Sequence, residues 1–283
     1  MSTGLIRQAA PADENAVSGL LYQAGRSTCQ MPSEDLGRAL SAHPFYLIEE
    51  NGHLGCVCGL EVGPETVAQI RIFALLDGWS LRETLAVLLP LVQRALCRKG
   101  VTTLAYVGAA RWLEDGLAAH GFRRSQTIVS MQKTDLSTPD RGNVQVKVRP
   151  ATPSDIAAIL AIDQAAFELI WRHTVGALAT RLAECAFFCV ADLDGRTVGY
   201  LYLSLIGRHA HLSRIAVHPA HWGGHIGVRL LSEAVRFCRH RQVFGLTLNT
   251  QQDNQRARRL YEWFGFKALG EEAQVLVRDL PPG

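Results

Sequence analysis

Internal repetition constrains this chain more than any other feature. Ile6-Arg7-Gln8-Ala9-Ala10-Pro11-Ala12-Asp13 returns 142 positions later as Val148-Arg149-Pro150-Ala151-Thr152-Pro153-Ser154-Asp155, and Gly121-Phe122-Arg123 returns 144 positions later as Gly265-Phe266-Lys267. Two distant anchors with nearly one offset mean two copies of one fold. The tails Ile128-Val129-Ser130-Met131-Gln132-Lys133-Thr134-Asp135-Leu136 and Val275-Leu276-Val277-Arg278-Asp279-Leu280 agree with this. The repeat predicts one domain over residues 1–136 and another over 145–283. A linker falls at 137–144, where Ser137, Thr138, Pro139, Asp140, Arg141 and Gly142 gather turn and breaker residues. A length of 283 residues suits two cores better than one.

The coarse pattern of each copy reads strand, two helices, three strands, long helix, strand, helix, two strands. In the second copy Pro153 and Asp155 open a helix with apolar residues at Ile156, Ile159, Leu160 and Ile162, a helical period. Asp192-Leu193-Asp194-Gly195 is a hairpin turn between Phe187-Phe188-Cys189-Val190 and Val198-Gly199-Tyr200-Leu201. Strands interleaved with helices predict an α/β fold with a mixed sheet.

At 48% hydrophobic and 19% charged, the composition is that of a globular protein. A net charge of +3, from 29 basic and 26 acidic residues, is too slight to imply a nucleic-acid partner. Arg236, Arg239, Arg241, Arg256, Arg258 and Arg259 crowd one span, either as a solvated helix face or as contacts for a nucleotide's ribose phosphate. Seven cysteines, an odd number without paired spacing, argue for a reducing compartment, and the expected location is the cytoplasm. Cys56 and Cys58 share one face of a predicted strand, where cysteine behaves as a small hydrophobe. Met1-Ser2-Thr3-Gly4 lacks the marks of a signal peptide, and no apolar run approaches the roughly 18 residues of a membrane span, so no membrane partner is expected.

Leu212-Ser213-Arg214-Ile215-Ala216-Val217-His218-Pro219 runs into Trp222-Gly223-Gly224-His225-Ile226-Gly227-Val228-Arg229-Leu230-Leu231. This reads as a strand, a glycine-rich turn and a helix start. Such a turn is either an ordinary connection or a place where unpaired N–H groups at the positive end of a helix hold a phosphate. Downstream comes Asn254-Gln255-Arg256-Ala257-Arg258-Arg259-Leu260-Tyr261-Glu262-Trp263-Phe264-Gly265-Phe266. Val-x-Pro with the glycine turn, followed by Asn-x-x-Ala-x-x-Leu-Tyr-x-x-x-Gly-Phe, resembles the GNAT acyltransferases, which move an acyl group from coenzyme A to an amine.

The resemblance implies two tandem GNAT-like domains, each a mixed, largely antiparallel central sheet flanked by helices. It implies acetyl-CoA as co-substrate and an amine acceptor. Ile215, Ala216 and Val217 would meet the pantetheine arm. Trp222, Gly223, Gly224, His225, Ile226, Gly227 and Val228 would cradle the diphosphate, and Asn254 and Tyr261 would touch the cofactor. The sequence departs from the family at Trp222, where Arg or Gln is usual, and at His225, where Gly is usual.

Transfer needs a neutral amine and a stabilised leaving thiolate. Similar enzymes use the tyrosine of the Leu-Tyr pair as general acid, which points to Tyr261; the alternative is core packing. The usual glutamate of the strand is replaced by His211, and a second family carboxylate by Asn249. Imidazole titrates near neutrality, so His211 is the candidate base and His209 the second choice, set against a merely solvent-facing histidine. His218, His221 and His225 have ligand-like spacing, but no acid or thiol stands among them and no metal is expected. Cys189 and Cys238 have no partner base in sequence, so direct attack in a ternary complex is expected. Trp171 and Arg172 are candidates to frame the acceptor, with core packing the alternative for Trp171.

The first copy offers Leu75-Leu76-Asp77-Gly78-Trp79-Ser80-Leu81-Arg82 at the turn, with an aspartate that would repel a diphosphate. It lacks the asparagine and tyrosine, which marks it as degenerate: a packing partner, a groove wall or a regulator. A second reading of the whole chain is a non-catalytic coenzyme A-binding or interaction protein.

Overall fold

The computed structural model describes residues 4–31, 35–63 and 66–281, so the leading Met1–Thr3 lies outside the described residues. The chain divides into two compact units, Met1–Gln126 with Ala273–Gly283, and Thr127–Glu272. The elements of the first copy are β1 (Leu5–Gln8), α1 (Glu14–Gln23), β2 (Arg26–Cys29), α2 (Leu36–Ala42), β3 (Phe45–Glu50), β4 (His53–Val62), β5 (Val67–Leu75), α3 (Leu81–Cys97), β6 (Thr103–Gly108), α4 (Arg111–Ala118) and β7 (Arg123–Lys133). Those of the second are β8 (Lys147–Pro150), α5 (Ile156–Ala166), α6 (Val175–Glu184), β9 (Phe187–Leu193), β10 (Arg196–Ile206), β11 (His209–Val217), α7 (Ile226–His240), β12 (Gly245–Gln251), α8 (Gln255–Trp263) and β13 (Lys267–Asp279). The expected order holds with two corrections. Each copy ends in one long strand, β7 or β13, rather than two, and the first copy carries an additional strand, β2.

The repeated motifs do identical work. Arg7 grips both oxygens of Asp13 at 2.7 Å and donates from Nε to Glu49 at 2.9 Å. Arg149 grips Asp155 at 2.8 Å and donates from Nε to Asp192 at 2.6 Å. A bidentate guanidinium fork thus ties the first strand of each copy to its first helix. Asn51-Gly52 and Asp194-Gly195 turn the matching hairpins, with φ of 53° and 78°, and of 50° and 76°. Two successive positive φ values match the strand twist and select Asn or Asp followed by Gly.

In the first unit β1, β3, β4 and β5 pair antiparallel, β5 and β6 pair parallel, and Gln274–Asp279 of β13 completes the sheet antiparallel to β6. In the second, β8, β9, β10 and β11 pair antiparallel, β11 and β12 pair parallel, and residues 128–133 of β7 lie antiparallel to β12. Each unit is the mixed, largely antiparallel α/β sheet expected. The compact units therefore differ from the repeat boundaries in one respect: each takes its last strand from the other copy.

In the second unit α7 buries Ile226, Leu230, Leu231, Ala234, Val235 and Cys238 against one sheet face, and Ile159 and Ile162 of α5 cover the other. The linker lies along α7. Ser232 Oγ donates to Asp140 O, and Gly142, at φ 75°, sits where a Cβ would come within 2.4 Å of the Arg229 nitrogen. Among the described residues no helix is long and apolar enough to cross a membrane.

The exchanged strands set a prediction. Val275, Leu276, Val277 and Leu280 are buried in the first unit. At roughly 1.5–3 kcal/mol each, their burial amounts to something on the order of a whole domain's stability. Truncation after Glu272 should unfold the first unit, seen as loss of amide protection across β4–β6. A fragment of residues 145–283, which lacks Thr127–Lys133, should fail to melt cooperatively.

Candidate active site

Strand β11 leaves its neighbour part-way along. It pairs with β12 from His209 opposite Gly245 to Leu212 opposite Leu248, while β10 follows it to Val217 through a bulge near Ser213. Strand β12 continues instead alongside β7 to Gln251. Among the described residues no strand accompanies Ser213–Val217 on the side that β12 vacates. The N–H of His218 bonds Val198 O at 2.9 Å. Antiparallel alternation then turns the main-chain groups of Ile215 and Val217 outward, into the opening. Ala216, expected beside them, directs its own to β10 and buries its methyl on the α5 side. The Val217 carbonyl already accepts from Trp222 Nε1 at 2.8 Å.

The turn that follows is open to solvent from Trp222 to His225. Gly223 adopts φ 84°, and His225 stands at the N-cap of α7 in the left-handed conformation, φ 57° and ψ 21°, with no side-chain cap. The first helical bond runs from Arg229 N–H to His225 O, leaving the N–H groups of Ile226, Gly227 and Val228 without an intrahelical acceptor. No acidic residue occupies the first turn. Asn143 braces the loop from behind, its side-chain amide donating to Gly224 O at 3.0 Å and its N–H meeting His225 O at 3.4 Å. Gly227 lies where a Cβ would touch Leu260 of α8 at 3.4 Å. Asn254 caps α8, accepting from Ala257 N–H at 3.1 Å. Of the crowded arginines, Arg236 pairs with Glu233 and Arg258 with Glu262, whereas the Arg256 guanidinium stacks 3.7 Å from the Trp222 ring centroid.

The matching places in the first unit are filled. Strands β5 and β6 pair from Val67 opposite Thr103 to Ile70 opposite Tyr106, but β2 then occupies the edge of β5, with Arg26 opposite Leu75 and Cys29 opposite Ile72. Gln30 N–H extends the seam to Arg71 O at 3.0 Å, and its side chain reaches Val107 O. Helix α3 is capped by Ser80, which accepts from Glu83 N–H, and Glu83 puts a carboxylate in the first turn. An anion would meet a negative charge there.

Tyr261 is buried among apolar neighbours, its ring 5.8 Å from that of Phe266, and desolvation pushes its phenol well above 10. The hydroxyl keeps its proton at neutral pH. His211 is partly buried, and desolvation lowers its pKa below 6.5. Its Nδ1 lies 2.9 Å from Thr247 Oγ1, whose own proton goes to Ala210 O at 3.2 Å. The hydroxyl oxygen therefore accepts from Nδ1–H, and Nε2 carries the free lone pair of a base. His209 is exposed and stacks towards Phe244 at 5.8 Å. Asn249 accepts from Ser130 Oγ at 3.0 Å, so β7, from the first copy, contributes to the wall beside the opening. Cys189 and Cys238 are buried with raised thiol pKa values, Cys238 to about 11, which keeps both as thiols.

Sequence reasoning missed a buried polar cluster under the opening. Asp163, fully buried, accepts His173 N–H at 2.8 Å and the Tyr200 hydroxyl, with Arg214 Nη1 at 3.4 Å. Arg214 Nη2 donates to Trp171 O at 2.7 Å, and its guanidinium lies over the Phe167 ring at 4.2 Å. His173 Nε2 lies 2.7 Å from the Tyr202 hydroxyl, and burial lowers its pKa to about 3. Trp171 and Arg172, candidate acceptor residues, are tied into this cluster, with Arg172 Nε on Phe167 O at 3.0 Å. The available signal was a charge interrupting each of two apolar periods, Asp163 after Ile159 and Ile162, and Arg214 between Leu212 and Ala216.

The left-handed His225 sets a test of the turn. A side chain there costs about 1 kcal/mol relative to glycine, and a β-branched one more. His225→Gly should hold or raise the melting temperature and His225→Val should lower it; the reverse order would show that the residue is not held left-handed.

Residues 156–266 match the family model described as Acetyltransferase (GNAT) family. A Bacillus subtilis (strain 168) protein, named provisionally as a ribosomal protein bS18-alanine N-acetyltransferase, is 28% identical over 125 residues, covering 44% of this chain and 82% of that protein. A GCN5-related N-acetyltransferase from Sphaerobacter thermophilus superposes with a TM-score of 0.69 at 17% identity, over 100% of this chain and 98% of that one. A tandem GNAT protein from the clavulanic acid biosynthesis pathway gives 0.70 at 14% identity, over 99% of both chains. These last two likenesses extend the fold over both copies. The match to the GNAT acetyltransferase family thus lies within the second copy, over residues 156–266, and both copies together share the fold of a tandem GNAT scaffold.

Proposed function

We propose that the protein is an N-acetyltransferase that moves an acetyl group from acetyl-CoA to a primary amine by direct attack. The observation that carries this reading is the open edge of Ser213–Val217 beside the uncapped start of α7, at the places that β2 and Glu83 fill in the first unit. Outward-facing groups of Ile215 and Val217 suit the amides of a pantetheine arm. The N–H groups of residues 226–228 suit a diphosphate. An acceptor ammonium with a pKa near 10 loses its proton to His211 Nε2, and the free amine nitrogen attacks the thioester carbonyl. The carbon–sulfur bond breaks, the departing thiolate takes its proton from the Tyr261 hydroxyl, and the second proton that the nitrogen sheds on becoming an amide restores the phenol. The relative named for a ribosomal-protein alanine makes a peptide amine one acceptor to test beside small-molecule amines.

The second reading, coenzyme A binding without turnover, draws on the Val217 carbonyl, which Trp222 already engages. Calorimetry with acetyl-CoA followed by thiol release across an amine panel separates the two. One site per chain is expected, because the first unit's edge is paired; two sites, or none, would overturn the assignment. Tyr261→Phe should lower turnover by about 10²-fold or more and leave acetyl-CoA affinity nearly unchanged.

The base sets a pH dependence. Imidazole accepts a proton only when neutral, and the folded pKa of His211 lies below 6.5. Consequently kcat/KM should be insensitive to this group above pH 6.5 and fall as pH drops through the lowered value. His211→Gln should abolish that acidic limb, and an unchanged limb would remove His211 from the role.

A further inference from the structure

The segment between the first two helices takes opposite paths in the two copies. After α1 it becomes β2, hydrogen-bonded along the edge of β5. After α5 it forms a short 3-10 turn, Leu169–Trp171, and leaves the edge of β11 unpaired. Main-chain groups in such a segment must find partners somewhere. In the first unit they find them on the strand edge; in the second the turn bonds Trp171 N–H to Glu168 O and Arg172 N–H to Leu169 O, and Asp163 and Arg214 hold two more. The carboxylate takes His173 N–H, the guanidinium takes Trp171 O, and the Phe167 ring lies beneath the same guanidinium.

The two copies differ at the residues that make these contacts. Pro11–Asp13 matches Pro153–Asp155, which puts Leu21 at the place of Asp163. Ile70 and Leu212 are the last residues paired with β6 and β12, which puts Ile72 at the place of Arg214. Leu21 and Ile72 pack in one apolar cluster of the first unit and offer the chain no hydrogen bond. The pair in the second unit is built for holding: Asp163 is 0% exposed and the Arg214 side chain 12%.

We propose that Asp163 and Arg214 are positioning residues for the acyl donor: their buried pair keeps residues 167–173 off the edge of β11 and so keeps the groove open. This rests on the reading of that edge as the acyl-donor site. Loss of the guanidinium removes its bond to the Trp171 carbonyl, and the outward N–H groups of Ile215 and Val217 stand at the places of Phe73 and Leu75, which β2 pairs in the first unit. The segment then closes the groove as β2 does.

The test is amide hydrogen exchange at Ile215 and Val217 in the ligand-free protein, together with coenzyme A calorimetry. Arg214→Gln leaves Asp163 bonded to Tyr200 and His173. It should weaken coenzyme A binding about tenfold or more and slow exchange at those two amides. A purely structural loss would instead speed exchange throughout the unit. Unchanged affinity, or faster exchange at Ile215 and Val217, overturns the proposal. If Arg214→Gln does not fold, Arg214→Lys, which keeps the charge but gives up the fork, should show both effects at smaller amplitude. Wild-type protein that binds no coenzyme A would refute the acyl-donor reading itself, whereas wild-type binding equalled by Arg214→Gln would refute this inference alone.

Discussion

A strand edge is a row of unsatisfied donors and acceptors, and what satisfies that row is what sets the two copies of this fold apart. Strands β5 and β11 leave their parallel neighbours at the same point, after Ile70 and Leu212. Beyond it each exposes about four residues of main chain that cannot stay dry and unpaired without a penalty of some 1–3 kcal/mol per group. The first copy resolves this internally with β2. The second leaves the row to solvent apart from the Val217 carbonyl, which Trp222 takes, and beside it an equally unsatisfied helix start. Leaving both open in one place makes a ligand the natural partner for either.

Electrostatics follow the same division. Ser80 and Glu83 quench the positive end of α3, while α7 has neither a capping side chain nor an acid in its first turn. His225 takes a conformation that glycine would adopt without strain, so the turn keeps its shape despite an unfavourable residue. Asn143 contributes to that from the linker, by engaging the carbonyls of Gly224 and His225 and leaving the opposite side of the loop unobstructed. A residue between the repeats thus braces the turn as well as connecting the copies.

Much of this was legible in the sequence. The Arg7–Asp13 and Arg149–Asp155 clamps underlie the strongest repeat anchor, and the strand–turn–helix at 212–231 announced the opening. Strand β2 was not legible, because Arg26-Ser27-Thr28-Cys29 has neither apolar alternation nor β-branched enrichment, and its pairing depends on an edge formed elsewhere. Nor was the strand exchange, since Ile128-Val129-Ser130-Met131 and Val275-Leu276-Val277 are alike enough for either sheet to accept either tail. Asp163 and Arg214 were missed: each is a charge in an apolar run, but nothing local to either names the other as partner.

The exchange of final strands has a consequence for how the chain is made. Residues Thr127–Glu272 supply every strand of the second unit, whereas the first waits for Ala273–Asp279 before β6 gains its outer neighbour. Vectorial synthesis therefore inverts the usual order: the amino-terminal unit is finished last, after the carboxy-terminal one has all its parts. Until those residues emerge from the ribosome, β6 carries a bare strand edge, and the interval between the two events leaves that edge open to mispairing or to capture by a chaperone.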